Sequence, residues 1–201
     1  MKNTRIKTRT LTGLALFTAI VIVLQLLGSF IRFGPFSITL VLIPIVVGAA
    51  MYGAPAGAWL GFVFGVAVLL SGDAASFMPI SPLGTVLTVL LKGTLAGFLA
   101  GLAYRMLEKK NRYVAVITAA IVCPVVNTGI FLLGCAVFFL DTVAEWGRSM
   151  GFDNAGAYMI FGLVGANFLV EMAIDIILSP VVLRLIRIGK HESAEAAENA
   201  E

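Results

Sequence analysis

Val-Ala-Val-Ile-Thr-Ala-Ala-Ile-Val-Cys-Pro-Val-Val, residues 114 to 126, contains no charged side chain and runs without alternating apolar and polar positions. A transmembrane β-barrel strand would show that alternation. The whole chain of 201 residues is 60% apolar and 12% charged, whereas a soluble domain has roughly 25% charged residues. So much apolar surface cannot be hidden in one water-exposed core. The composition predicts an all-α integral membrane protein.

Six apolar segments are the predicted membrane-spanning helices, since a span needs roughly 20 apolar residues. They are Leu11–Phe30, Ile38–Met51, Ala56–Leu70, Leu83–Leu107, Tyr113–Leu140 and Tyr158–Ile188, the second being short unless it includes part of its flanks. Residues 1–190 are predicted to form one six-helix transmembrane domain. The acidic, alanine-rich stretch 191–201 is predicted to be a disordered tail.

Lysine and arginine positions predict the orientation, because cytoplasmic loops carry an excess of these residues. With six spans and an inside N-terminus, 11 of the 14 basic residues fall on the cytoplasmic side. Arg32 and Arg148 fall outside, and Lys92 lies within a span. Both termini are therefore predicted to be cytoplasmic.

Glycines recur every four residues in the third and fourth predicted spans. They are Gly53, Gly57, Gly61 and Gly65, followed by Gly93, Gly97 and Gly101. Small residues at this spacing let another helix backbone approach closely. Packing among the helices of this chain is the favoured interpretation. Ala15 and Ala19 repeat the spacing in a milder form in the first span.

Polar and ionisable residues inside the predicted spans are the candidate binding residues, because burying them in hydrocarbon is costly unless they are paired or hydrated. In one interpretation Lys92, Asn127 and Asn167, with Arg32 from the first outer turn, face a pocket open to the outside. A cation and two amides would suit a small polar solute, such as one with a carboxylate. In the other, Lys92 pairs with Glu171 as a structural clamp.

The sequence favours neither an enzyme nor a metal or cofactor site. The single histidine, His191, lies in the tail, where it cannot serve a membrane-embedded serine as a base. Histidine and carboxylate clusters at metal-ligand spacing are missing, and so is a phosphate-binding glycine loop. Energy from ATP would have to come from another protein.

Several short motifs, in this order and spacing, resemble the substrate-binding subunit (S component) of energy-coupling-factor (ECF) vitamin transporters. The motifs are the basic N-terminus leading to Ala15-x-x-x-Ala19, the run Leu42-Ile-Pro-Ile-Val-Val-Gly-Ala-Ala-Met-Tyr-Gly-Ala-Pro-Ala-Gly continuing to Gly65, and Pro82-Leu-Gly-Thr with Leu91-Lys92-Gly93. With the six-span topology, the resemblance covers about residues 5–190.

The resemblance implies a subunit of the bacterial plasma membrane that captures a vitamin or related micronutrient outside the cell. It also implies partners, a transmembrane coupling subunit and two ATPase subunits, and delivery by tilting of the whole S component. Ala15 and Ala19 match the small-residue motif that contacts the coupling subunit in this family. Lys92 and Arg32 suggest that the ligand is pantothenate or another small carboxylate.

Two other classes of function stay open on the residues alone. In a solitary proton-coupled secondary carrier, Glu171 and Asp175, four residues apart on one helix face, would relay protons. In a membrane scaffold without transport activity, the glycine faces would only assemble other helices. A coupling subunit as partner would distinguish the S component from both.

Overall fold

The computed structural model describes residues 8–29, 32–33, 36–37 and 40–198. Within these ranges, the side chains of residues 8–9, 32–33, 36–37, 166–167 and 189–198 lie outside the description. The side chains of Arg32 and Asn167, two of the predicted binding residues, are therefore not part of the site described below.

Helices account for most of the described chain. The longer ones are α1 (Thr8–Gly28), α2 (Leu42–Tyr52), α3 (Ala54–Ser71), α4 (Pro82–Leu107), α5 (Arg112–Phe138) and α6 (Leu140–Ser149). They are followed by α7 (Ala155–Ala157), a π-helical segment (Tyr158–Val164) and α8 (Gly165–Glu198). Between α1 and α2, strands β1 (Arg32–Phe33) and β2 (Phe36–Ser37) pair antiparallel, with Arg32 opposite Ser37.

The helical membrane class is confirmed. In the part of the chain that the structure describes, α1, α3, α4 and α5 are long and apolar enough to cross a membrane, and α2 and Ala155–Val164 are shorter apolar helices. The apolar face of α8 is interrupted by Glu171 and Asp175. The count of six spans and the cytoplasmic position of both termini stay predictions.

Local sequence signals explain where the helices begin and end. Ser81 caps α4 by accepting a hydrogen bond from the Gly84 amide at 3.2 Å, and Asn111 caps α5 through the amides of Tyr113 and Val114. Gly53, with a φ of 95°, lets the chain turn from α2 directly into α3.

Two later segments of the chain contain helix that the sequence analysis did not predict. Much of the segment between the fifth and sixth predicted spans belongs to α6, whose apolar side buries Val143. The backbone of α8 stays helical through Glu198, into the stretch predicted to be disordered, and alanine and glutamate are strong helix formers. The division of the chain at residue 190 stays a prediction.

The glycine-rich faces of α3 and α4 pack against each other, which confirms the favoured interpretation of their spacing. A Cβ atom on Gly61 would overlap the carbonyl oxygen of Gly93, and one on Gly93 would overlap that of Gly61. One turn away, a Cβ atom on Gly65 would lie 2.9 Å from the carbonyl oxygen of Val89. The two backbones are therefore in direct contact over several turns.

Two apolar clusters fill the interior. The larger joins α2 to α5 and the second half of α8 around Ile45, Leu60 and Val116. The smaller gathers Phe77, Cys135 and Tyr158 where α5, α6 and the π-helical segment meet. α1 lies at the periphery, with most of its side chains exposed. The space between the two clusters contains the candidate site.

Candidate ligand-binding site

A partly open cavity lies where several helix ends converge. It is formed by the ends of α1 and α3, the turn 72–81, the first half of α4, the second half of α5, and the chain around the start of α8. Its empty space, including the part that opens outwards, is about 850 Å³. The polar lining residues are Gln25, Asp73, Thr85, Thr88, Lys92, Asn127, Thr128 and Glu171.

Lys92 places its ammonium group between two aromatic rings. Its Nζ lies 5.7 Å from the ring centre of Phe64 on α3 and 5.4 Å from that of Phe131 on α5. Both distances are within the range of a cation–π interaction. Glu171 and Asp73 line the same cavity as Lys92. Two aromatic faces therefore hold Lys92 Nζ at a cavity wall that also carries carboxyl groups.

Asn127 and Thr88 are buried polar residues of the cavity wall. They are 6% and 5% exposed, and Asn127 Oδ1 and Thr88 Oγ1 have no hydrogen-bond partner in the described part of the chain. Such an atom costs about 1–3 kcal/mol when it is buried without a partner. Because both residues line the cavity, a ligand with hydroxyl or amide donors could satisfy them.

Gln25 joins the end of α1 to the turn after α3. Its Nε2 donates to Asp73 Oδ2 at 2.6 Å and to Ser71 Oγ at 3.3 Å, and the side chain is 3% exposed. A hydrogen bond to a charged group is worth about 1.5–3 kcal/mol. The bond therefore anchors the otherwise peripheral α1 at the cavity.

An aromatic cluster forms the side of the cavity next to α6. The ring of Phe77 lies 5.8 Å from Phe131 at an interplanar angle of 85°, 5.0 Å from Phe139 and 5.5 Å from Trp146. Edge-to-face contacts of this kind stabilise aromatic pairs. They fix the turn 72–81 against α5 and α6 and give the cavity an apolar side.

The structure brings some of the predicted binding residues together. Lys92 and Asn127 line the same cavity, and so does Glu171, the predicted clamp partner of Lys92. Arg32 and Asn167 have side chains outside the described residues. The roles of these residues, including a choice between ligand binding and a clamp for Lys92, stay predictions.

Other cavity residues were missed by sequence reasoning. Gln25 and Asp73 carried a signal, because each is polar near the outer end of a predicted span. Thr88 and the phenylalanines carried no such signal, because threonine and phenylalanine are ordinary residues of a membrane helix. Asp175 is 4% exposed and does not line the cavity, although it is one turn from Glu171.

The alanines predicted to dock a partner are not among the residues that line this cavity. Ala15 and Ala19 are both exposed on α1. Beside them, Trp59 of α3 donates from Nε1 to Thr18 Oγ1 at 3.1 Å. Docking at this surface stays a prediction.

A helical membrane protein with a partly open cavity, lined in part by polar side chains, near one end of its helices is, by class, a candidate membrane solute-binding protein. The model of the family "ECF transporter, substrate-specific component" matches residues 9–183, so the chain belongs to that family. The resemblance seen in the sequence is confirmed, and the protein is an integral membrane protein of the bacterial plasma membrane.

One protein is similar to this chain in sequence, and one solved structure is similar to it in fold. The chain is similar to the pantothenic acid transporter PanT of Lactococcus lactis subsp. cremoris (strain MG1363), with 26% identity over 197 residues, covering 90% of this chain and 94% of PanT. It shares its fold with a solved structure of ThiT from Listeria monocytogenes, with a TM-score of 0.62 and 23% identity, covering 88% of this chain and 96% of that one. The family and PanT are named for transport rather than for catalysis.

Proposed function

We propose that this protein captures a small carboxylate with hydroxyl or amide groups, pantothenate being the first candidate, at the outer face of the membrane. It then delivers the ligand to the cytoplasm by tilting in complex with a transmembrane coupling subunit and two ATPase subunits. The observation that carries this proposal is the combination, in one cavity, of Lys92 with the unsatisfied polar atoms of Asn127 and Thr88.

The ligand's carboxylate would bind Lys92. Phe64 and Phe131 hold the ammonium group at the wall, so little side-chain freedom is left to lose on binding. A charge-assisted hydrogen bond between ammonium and carboxylate is stronger than a neutral one. In this interpretation Glu171 and Asp73 stay next to Lys92, and the carboxylate of the ligand becomes a further partner of the ammonium group.

The rest of the ligand must bring hydrogen-bond donors. Besides Asn127 Oδ1 and Thr88 Oγ1, the carboxyl groups of Asp73 and Glu171 line the cavity. These hydrogen-bond acceptors would repel a ligand whose polar groups are all carboxylates. They would accept hydrogen bonds from hydroxyl and amide N–H groups of a ligand. The phenylalanines offer an apolar surface for its carbon skeleton.

Pantothenate has these groups: a carboxylate, an amide, hydroxyl groups and a branched apolar centre. The similarity to PanT supports it as the first compound to test. Arg32 and Asn167 are proposed as further ligand contacts, from the first outer turn and the last helix.

The position of the cavity agrees with capture from outside. The ends of α1 and α3 and the beginning of α4 meet there, and the basic-residue count predicts that these ends are extracellular. Ala19 lies six residues before Gln25, roughly 9 Å along α1. The proposed docking surface would therefore be on the cytoplasmic side of the cavity.

The test is ligand binding by the purified protein in detergent, measured by isothermal titration calorimetry. Pantothenate is compared with thiamine, which is cationic and has no carboxylate, and with riboflavin, which carries no charge. We expect binding of pantothenate alone, weakened at least about tenfold in Lys92→Met, because a charge-assisted contact is worth about 1.5–3 kcal/mol.

The matched control is Lys110→Met, because Lys110 is exposed in the turn between α4 and α5. Pantothenate affinity should be unchanged in this control. Binding of thiamine but not pantothenate, or full pantothenate affinity in Lys92→Met, would contradict the proposed ligand class.

A solitary proton-coupled carrier is the second candidate, since α8 buries Glu171 and Asp175 at 5% and 4% exposure. The two candidates differ in what the chain does alone. Proteoliposomes containing only this protein would accumulate the ligand under a pH gradient if it were a carrier. An S component would bind the ligand and accumulate none until the coupling subunit and ATPases are added.

A further inference from the structure

A second, apolar groove runs along the outside of the molecule between α5 and the start of α8. It has about 790 Å³ of empty space, including its open side. Its α5 side consists of Val125, Thr128, Gly129 and Leu132, and its other side is built by the π-helical segment and the first residues of α8. Of the described lining residues, Thr128 alone has a side chain that can form hydrogen bonds.

Backbone features on both sides keep this groove open. A Cβ atom on Gly129 would meet nothing within 4 Å, so the missing side chain leaves a hollow in the α5 surface. Opposite it, the chain follows a π-helical turn over Tyr158–Val164. Such turns displace the helix surface relative to a regular α-helix. The groove is thus a consequence of the fold.

The groove lies at membrane depth. Val125 and Leu132 are 13 and 20 residues after Arg112, the first residue of α5, which is roughly 20 and 30 Å along a helix. The hydrocarbon core is roughly 30 Å thick. Large apolar side chains on the rim point outwards, with Phe161 73% and Leu169 60% exposed. The groove therefore opens towards lipid tails.

We propose that this groove binds an acyl chain of a bilayer phospholipid. Water is a poor occupant because a stable water needs two to four polar partners. An empty groove would deprive its lining atoms of dispersion contacts. Hydrocarbon is the medium that surrounds this depth of a membrane protein, and an acyl chain matches the groove in polarity.

The acyl chain also supports the ligand cavity. Thr128, Val164 and Phe168 line both the groove and the cavity. The partition between the two is therefore a single layer of side chains. A lipid chain packed on its outer side holds this layer in place from the membrane side, independently of which ligand the cavity takes.

The first test is native mass spectrometry of the protein extracted from vesicles of palmitoyl-oleoyl phosphatidylglycerol. Wild type should retain bound phospholipid. Gly129→Leu should lose it, because the new side chain fills the groove where there is room for it. The control Ala136→Leu, at an exposed position of α5 outside the groove, should retain it. Equal retention in Gly129→Leu and wild type would overturn the proposal.

A second measurement uses the unaltered chain, in case Gly129→Leu does not fold. Vesicles are prepared with phosphatidylcholine that carries a photoreactive diazirine in its acyl chain, and cross-linked peptides are mapped after illumination. We expect labelling at Leu132 and Leu169 to exceed labelling at Leu133, which is 64% exposed but outside the groove. Labelling that follows exposure alone would overturn the proposal.

Discussion

Gly61 of α3 and Gly93 of α4 are in contact backbone to backbone, so that a Cβ atom on either residue would overlap the carbonyl oxygen of the other. This contact is adjacent to the candidate site in both helices. Gly93 follows Lys92 directly, and Phe64 is one turn after Gly61. The close approach of the two helices therefore brings the Phe64 ring to 5.7 Å from Lys92 Nζ.

Gly61→Ala should destabilise the protein by about 1–3 kcal/mol, the usual cost of overpacking. The atoms that the new methyl group would meet are backbone atoms, which cannot rotate away. Thermal unfolding of the purified protein in detergent measures the loss. Gly129→Ala is the matched control, because its methyl group meets nothing within 4 Å, and it should be neutral or stabilising. Equal melting temperatures for the two variants would contradict the packing described here.

Sequence periodicity was enough to predict that the glycine faces of α3 and α4 pack within this chain, because small residues repeated every four positions lie on one helix face. It did not show that the two faces contact each other. Lys92 and Asn127 were likewise visible as polar residues in apolar runs. The Gln25–Asp73 bond was not, since it joins residues 48 apart and depends on how α1 packs. The π-helical turn also has no sequence signature in a run as apolar as Tyr158–Val164.

Thr88→Val should lower ligand affinity about five- to tenfold without destabilising the fold. Valine has nearly the same shape, and it removes a hydroxyl that has no partner in the described part of the unliganded protein, so the buried polar penalty disappears. Calorimetry gives the affinity, and thermal unfolding without ligand gives the stability.

Thr85→Val is the control for this prediction. Thr85 also lines the cavity, but its hydroxyl already donates to the carbonyl oxygen of Ser81 at 2.8 Å. Affinity should change little in this variant. A loss of affinity in Thr85→Val equal to that in Thr88→Val would show that the unpaired hydroxyl has no special role.

Gln25→Leu should destabilise the unliganded protein by about 1.5–3 kcal/mol, because it removes the hydrogen bond to the Asp73 carboxylate. It should also weaken ligand binding, since the turn 72–81 loses its connection to α1. Asp73→Asn keeps an acceptor for Gln25 and removes only the charge, so its loss of stability should be smaller. Thermal unfolding ranks the variants, and the reverse ranking would contradict this account of how α1 is anchored.

The double variant Ala15→Leu/Ala19→Leu should bind its ligand normally but fail to assemble with a coupling subunit. Both alanines are exposed on α1, so larger side chains there disturb no internal packing. They would, however, fill the shallow surface that lets another helix approach closely. Co-purification of tagged protein with the coupling subunit and ATPases measures assembly, and calorimetry on the same preparation measures ligand affinity.

Ala136→Leu provides the control for assembly, because it adds the same side chain at an exposed position on α5. It should co-purify with the partners as wild type does. Co-purification measures docking to the partners, and calorimetry measures ligand capture. Gln25 anchors α1 at the cavity six residues beyond Ala19, so a change confined to the alanines leaves the Gln25–Asp73 bond intact. Normal complex formation by the double variant would place the docking surface elsewhere, whereas a parallel loss of ligand affinity would show that α1 transmits its packing to the cavity.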